Sequence, residues 1–185
     1  MNRKLAVLAV VMILIAMSVH GSVAYFTAEN TATNVITTGS IKIELVETAV
    51  DGNGERVPFE NVINALPASE VSKIVEVKNT GESTAYIRVK VDKTIELAEG
   101  REGQIDLSLV SFDLNTAYWT EKDGYYYYSE AVAPDELTKP LFTKVIFDKR
   151  MDNLYQKSTV TILVDAQATQ TANNGANALE AAGWP

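Results

Sequence analysis

Along most of this chain apolar and polar residues alternate with a period of two, but the chain opens on an unbroken apolar run. Leu5 to Met17 carries thirteen residues without a charge, behind Asn2, Arg3 and Lys4 and ahead of a polar break at Ser18 to Ser22. A short basic stretch, an apolar centre and small residues at Ser22 and Ala24 form the pattern of a hydrophobic signal-peptide helix, residues 1–24, cut between Ala24 and Tyr25. The competing reading is an uncleaved anchor, because apolar character resumes through Val23 to Phe26 and approaches the ~20 residues that a membrane span needs. The polar break and the small-residue site favour cleavage.

Past the leader the alternation predicts strands. Ile41, Ile43 and Leu45 alternate with Lys42 and Glu44, and Val71 to Lys78 alternates imperfectly before a turn at Asn79-Thr80-Gly81. The most regular stretch is Thr84 to Lys93, which assigns Ala85, Ile87, Val89 and Val91 to a core and Tyr86, Arg88, Lys90 and Asp92 to solvent. Ile95 to Glu102 reads as a short helix or loop and Ile105 to Phe112 as a further strand. Asp123-Gly124 marks a hairpin between Thr116–Thr120 and Tyr125–Ser129. Leu141 to Asp148 is apolar on both sides, which suits a central strand, and Thr159 to Gln170 is the last long one. The tail predicts about one and a half turns of helix capped by Asn177 and Glu180, stopped at Gly183, with Trp184 docked on the body. About eight short strands with hardly any helix imply an all-β, antiparallel sandwich.

Composition narrows what such a sandwich can do. The chain has 185 residues, enough for one domain over residues 25–185 once the leader is gone. Formal charge is −8, and losing Arg3 and Lys4 with the leader makes the remainder −10, which argues against nucleic acid or an anionic membrane surface as partner. There is no cysteine, so neither disulfides nor thiolate metal sites are available. The single histidine, His20, lies in the leader and reads as inert. A mature chain without His or Cys cannot form a Ser-His-Asp triad, a Cys-His pair or an HExxH zinc site. Carboxylate-only chemistry stays open, but the 24 acidic residues are scattered without grouping. No catalytic residue, metal ligand or cofactor is therefore expected.

Two stretches hold candidate binding residues. Asp51, Asn53 and Glu55 alternate oxygen ligands like part of a calcium loop, but the distal glutamate of an EF-hand is missing, and Val50 to Phe59 reads as a solvated turn. The hairpin gathers Tyr118, Trp119, Tyr125, Tyr126, Tyr127 and Tyr128, a set that could form a carbohydrate or peptide platform. The alternative is structural: alternate tyrosines bury on one side while the others cover the hairpin's outer face.

The run AYFTAENTATNVITTGSIKIEL resembles the start of Gram-positive secreted proteins processed by a SipW-type signal peptidase, the family of TasA, camelysin and the BsaA-like biofilm matrix proteins. VKNTGESTAYIRVKV (Val77 to Val91), GYYYYSEAVAPDELTKPLF (Gly124 to Phe142) and ANALEAAGWP (Ala176 to Pro185) are most similar to the BsaA-like branch. The resemblance implies a jelly-roll sandwich, an extracellular matrix or cell-surface location, and a homopolymeric fibre. Its implied partners are copies of itself, the peptidase, an assembly accessory protein and matrix polysaccharide. It also implies that the mature N-terminal segment, residues 25–38, serves assembly as a donated strand. Tyr25, Phe26, Val35 and Ile36 would be its apolar anchors, with Ala28 and Ala32 small enough to lie flat in a groove. The alternatives are a monomeric cell-surface or polysaccharide-binding module and, since camelysin-like relatives have been classed as metallopeptidases, a peptidase.

Overall fold

The computed structural model describes residues 26–34, 41–59, 63–65 and 67–185, the strands at 26–34 and 63–65 as backbone alone. The leader, Tyr25, Val35 and Ile36 lie outside the described residues. Eleven strands follow in chain order: β1 Phe26–Asn34, β2 Ile43–Val50, β3 Arg56–Pro58, β4 Ile63–Ala65, β5 Glu70–Asn79, β6 Ala85–Glu96, β7 Val110–Phe112, β8 Trp119–Lys122, β9 Tyr125–Tyr128, β10 Phe142–Phe147 and β11 Thr159–Gln170. They form two facing sheets, β4-β1-β11-β6-β9-β8 and β3-β2-β5-β10-β7. This is the all-β sandwich that the alternation predicts.

The spine of the larger sheet is the antiparallel ribbon of β6 and β11, in register from Thr159 opposite Glu96 to Gln170 opposite Ala85. Both strands keep a two-residue apolar period through most of their length, so Ala85, Ile87 and Val89 of one and Val160, Ile162, Val164 and Ala166 of the other share one buried layer. The facing layer is supplied by Ile43, Leu45, Val75, Val77, Val110, Phe142, Val145 and Phe147. Strand β10 lies between β5 and β7. A register shift between Phe142 and Lys144 breaks its alternation, and Asp113 holds the irregular segment by accepting from the N–H groups of Thr143 and Lys144. Leu141 and Phe142, adjacent in sequence, are both fully buried there.

Three local expectations change. Ile105 to Phe112 is not one strand: Asp106 accepts from the Ser108 N–H at 2.9 Å and caps a single 3-10 turn, Leu107–Leu109, before β7 begins. The tail caps as expected, with Asn177 Oδ1 accepting from the N–H groups of Leu179 and Glu180, but no helix follows and the segment stays in turns. Not every pair is antiparallel, since β1 runs parallel to β11 from Thr27 opposite Thr159 to Asn34 opposite Ala166. The Asp123-Gly124 turn does form, with φ of 53° and 79°, the two left-handed residues that a tight hairpin between twisted strands requires.

Candidate functional site

The parallel strand β1 is the feature of the fold on which an assembly role would turn. It lies between β11 and the short β4, with Phe26 opposite Ala65 and Thr27 opposite Ile63 on the β4 side. Its register sets Ala28, Asn30, Ala32 and Asn34 beside Val160, Ile162, Val164 and Ala166, the β11 residues that are buried. Alanine and asparagine thus alternate at the β1 positions in register with this buried β11 series. Phe26, Ala28 and Ala32 of the expected assembly segment therefore sit on one strand, paired within the same chain.

Across the sandwich from this strand, β2 and β5 carry an ion pair where the sequence pattern would put apolar residues. Glu47 continues the phase of Ile43 and Leu45, and Lys73 that of Val75 and Val77. Lys73 Nζ lies 2.7 Å from Glu47 Oε1 with both side chains shielded, 1% and 9% exposed, and 4.0 Å from the centre of the Phe59 ring. Burial lowers the pKa of the Lys73 ammonium below the usual lysine value, against the pull of the Glu47 carboxylate. On the outer surface of the same sheet Arg56 bonds both Thr48 and Glu76, closing the β2–β3 hairpin over β5.

The tyrosine hairpin splits its rings between two faces. Trp119 and Tyr128 are buried in the main core, their rings tilted at 49° with centres 5.0 Å apart, and Tyr118 and Tyr126 pack against the same cluster. Trp119 Nε1 donates to the Lys139 carbonyl at 3.0 Å, and the Tyr128 hydroxyl accepts from the Lys139 N–H at 3.1 Å, so this corner also anchors the following loop. Burial raises the pKa of the Tyr126 and Tyr128 hydroxyls above the ordinary tyrosine value.

Tyr125 and Tyr127 turn the other way, onto the outer face of the β6–β11 sheet, where Tyr86, Ala178, Ala181 and Trp184 join them. Arg88 is clamped at the centre, its guanidinium 4.0 Å from the Tyr125 ring centre and 4.7 Å from that of Trp184. Its Nε donates to Gln167 Oε1 at 2.8 Å and its Nη1 to the Tyr127 hydroxyl at 3.3 Å. The chain's own tail thus lies over the rings that face outward.

Asp51 is committed to its own turn: Oδ1 accepts from the N–H groups of Asn53 and Glu55, both at 2.9 Å, and Oδ2 from the Asn53 amide. The N–H of Glu55 is the first cause that holds its pKa below the ordinary carboxylate value. Among the described residues no group of three His, Cys, Asp or Glu side chains stands close enough to hold a metal ion.

Sequence reasoning missed the Lys73–Glu47 pair and the Arg88 clamp. A charge on the apolar phase of a strand was the available sign for the first. No sign pointed to the second, because Arg88 occupies the outward phase of β6, and the hairpin rings and the tail that cover it are distant in sequence. No protein-family model, curated protein or solved structure matches the chain.

Proposed function

We propose that the chain is a secreted, non-enzymatic subunit of an extracellular matrix fibre, its mature N-terminal strand donated to a neighbouring copy, and that its sandwich is a jelly roll. The jelly-roll reading is supported by strand order: the late strands β10 and β11 each lie between two earlier ones, β5 and β7 in one sheet and β1 and β6 in the other, as interleaved Greek keys require.

The observation that carries the assembly reading is the parallel β1–β11 pair. Main-chain hydrogen bonds to the edge of β11 do not depend on which copy supplies the strand. The connection from Asn34 to Ile43 spans roughly 30 Å when extended at ~3.3 Å per residue, enough to reach a neighbour as well as to turn back. Small residues at Ala28 and Ala32, beside Val160 and Val164, suit a strand that must slide into a closed layer. A strand passed from each copy to the next is a heterologous contact, which propagates as a filament. Retention of the leader would hold the segment at the membrane, and cleavage would release it. A monomeric binding module would need free ring faces on the hairpin, and of its six rings Trp119, Tyr127 and Tyr128 are buried while Tyr118, Tyr125 and Tyr126 are half-buried against the two clusters.

The test compares protein starting at Tyr25 with protein starting at Gly39. After circular dichroism confirms that both are folded, both are concentrated and imaged. Fibres are expected from the longer form alone, and fibres from the shorter one would overturn the donated-strand reading.

A further inference from the structure

The tail after β11 forms a strap across the outer face of the β6–β11 sheet, and one side chain ties its two ends together. Asn174 Nδ2 donates to the Gln170 carbonyl at 2.9 Å and the Ala182 carbonyl at 3.0 Å, and stands 3.4 Å from Thr169 Oγ1. Its Oδ1 accepts from the Ala182 N–H at 2.8 Å and from the Gly175 N–H at 3.0 Å. Thr169 Oγ1 also donates to the Ala182 carbonyl at 3.0 Å. The far end of the strap is held by Trp184 stacked on Arg88. Asn174 therefore works as a double-ended pin that needs both an amide donor and an amide acceptor.

The residue that follows this pin is a glycine for steric reasons. A Cβ at Gly175 would stand 2.6 Å from the carbonyl carbon and oxygen of Glu180, so packing enforces an Asn-Gly pair at the point where the strap is fastened. Asn-Gly is the sequence in which a backbone nitrogen most readily attacks the preceding carboxamide, because no side chain hinders the approach. The attacking group is already adjacent, with Gly175 N 3.0 Å from Asn174 Oδ1. The closed strap restrains the reaction by holding the leaving nitrogen in two carbonyl hydrogen bonds and the Gly175 N–H in one to the side chain itself.

We propose that Asn174 is a modification site whose deamidation is gated by opening of the strap and whose product prevents the strap from closing again. Gly175 N bonds to Asn174 Cγ and loses its proton, and Nδ2 leaves as ammonia, giving a cyclic imide. Water then opens the ring to aspartate or isoaspartate, with no oxidant or other reactant required. Either product sets a carboxylate oxygen against the Gln170 and Ala182 carbonyls, where N–H donors stood. Isoaspartate also reroutes the main chain at Gly175, where no room exists. The strap is released, and Tyr86, Arg88, Tyr125 and Tyr127 become an open face of aromatic rings around a guanidinium.

The molecule carries its own control in Asn53-Gly54, the same pair on an exposed hairpin tip. The test incubates the folded protein at mildly alkaline pH and maps both sites by mass spectrometry, with the denatured chain as reference. Conversion at Asn174 should be roughly tenfold or more slower than at Asn53, since it proceeds through a minor open state. In the denatured chain the two rates should converge. Trp184→Ala, which unfastens the far end of the strap, should speed conversion at Asn174 severalfold and leave Asn53 unchanged. Asn174→Asp should speed proteolysis within residues 176–185 while the β-sheet spectrum is kept. The proposal is overturned if Asn174 converts as fast as Asn53 in the intact fold, if Trp184→Ala leaves its rate unchanged, or if the Asn174→Asp strap resists protease as well as the original.

Discussion

Replacing Trp119 with alanine tests whether the aromatic hairpin is part of the scaffold. The side chain is 3% exposed, so its removal takes the largest residue type out of a closed layer beside Tyr128. Truncating a buried aromatic to alanine costs about 3–5 kcal/mol through lost transfer energy and the cavity left behind. The Lys139 carbonyl also loses the indole donor at 3.0 Å, which favours the upper half of that range, so about 4 kcal/mol is expected. In a domain of this size each kcal/mol shifts the melting temperature by roughly 2–4 °C, which predicts a fall of roughly 8–16 °C. Trp119→Phe keeps most of the area and loses the hydrogen bond, so it should cost only about 1–2 kcal/mol. The assay is urea and thermal unfolding followed by circular dichroism, with pull-down on cell-wall glycan and matrix polysaccharide in parallel. A loss below about 1 kcal/mol for Trp119→Ala, together with lost glycan retention, would refute the reasoning and make the hairpin a binding surface.

The buried pair gives a second prediction: Lys73→Met or Glu47→Leu alone should cost about 3–5 kcal/mol by stranding a charge, while the double variant should unfold near the original midpoint or above it in urea. A third concerns acid. Because the folded pKa of Asp51 is lowered, first by the Glu55 N–H, the stability it contributes is present above the ordinary carboxylate value of about 3.9 and is lost as pH falls through its lowered folded value. Hydrogen exchange of the Asn53 and Glu55 amides should accelerate in that acid window relative to Asp51→Asn, in which the extra acid dependence should vanish.

Much of the fold could be read in the sequence because long strands buried on one face print their period on the chain. Residues Ala85 to Val91 and Val160 to Ala168 announce β6 and β11, and Asp123-Gly124 announces the hairpin between β8 and β9. Features set by partners distant in sequence could not be read this way. The 3-10 turn at Leu107–Leu109 depends on one carboxylate at Asp106, too local a cause to alter an eight-residue alternation. The run Tyr125 to Tyr128 has no polar phase, so it could not reveal which rings would meet the core and which the tail. That β1 would pair in parallel with β11 was equally hidden, because direction in a sheet follows from how the chain returns and leaves no mark on composition. The tail's docking was visible as an isolated Trp184, and its target was not, since Arg88 and Gln167 look like ordinary solvent-facing positions.

The pairing of the first described strand with the last has a kinetic meaning. Among the strand pairs of the described residues, contact between β1 and β11 closes the longest loop, from Thr27 to Thr159, and cannot begin until β11 has been made. Contacts of such high sequence separation form late, after the entropy of the whole intervening segment has been lost. Until that contact forms, the border of β11 away from β6 is a bare row of N–H and C=O groups. On the donated-strand reading proposed above, that row is where the chain's own β1 and a neighbour's would compete, so crowding of the copies would set the outcome.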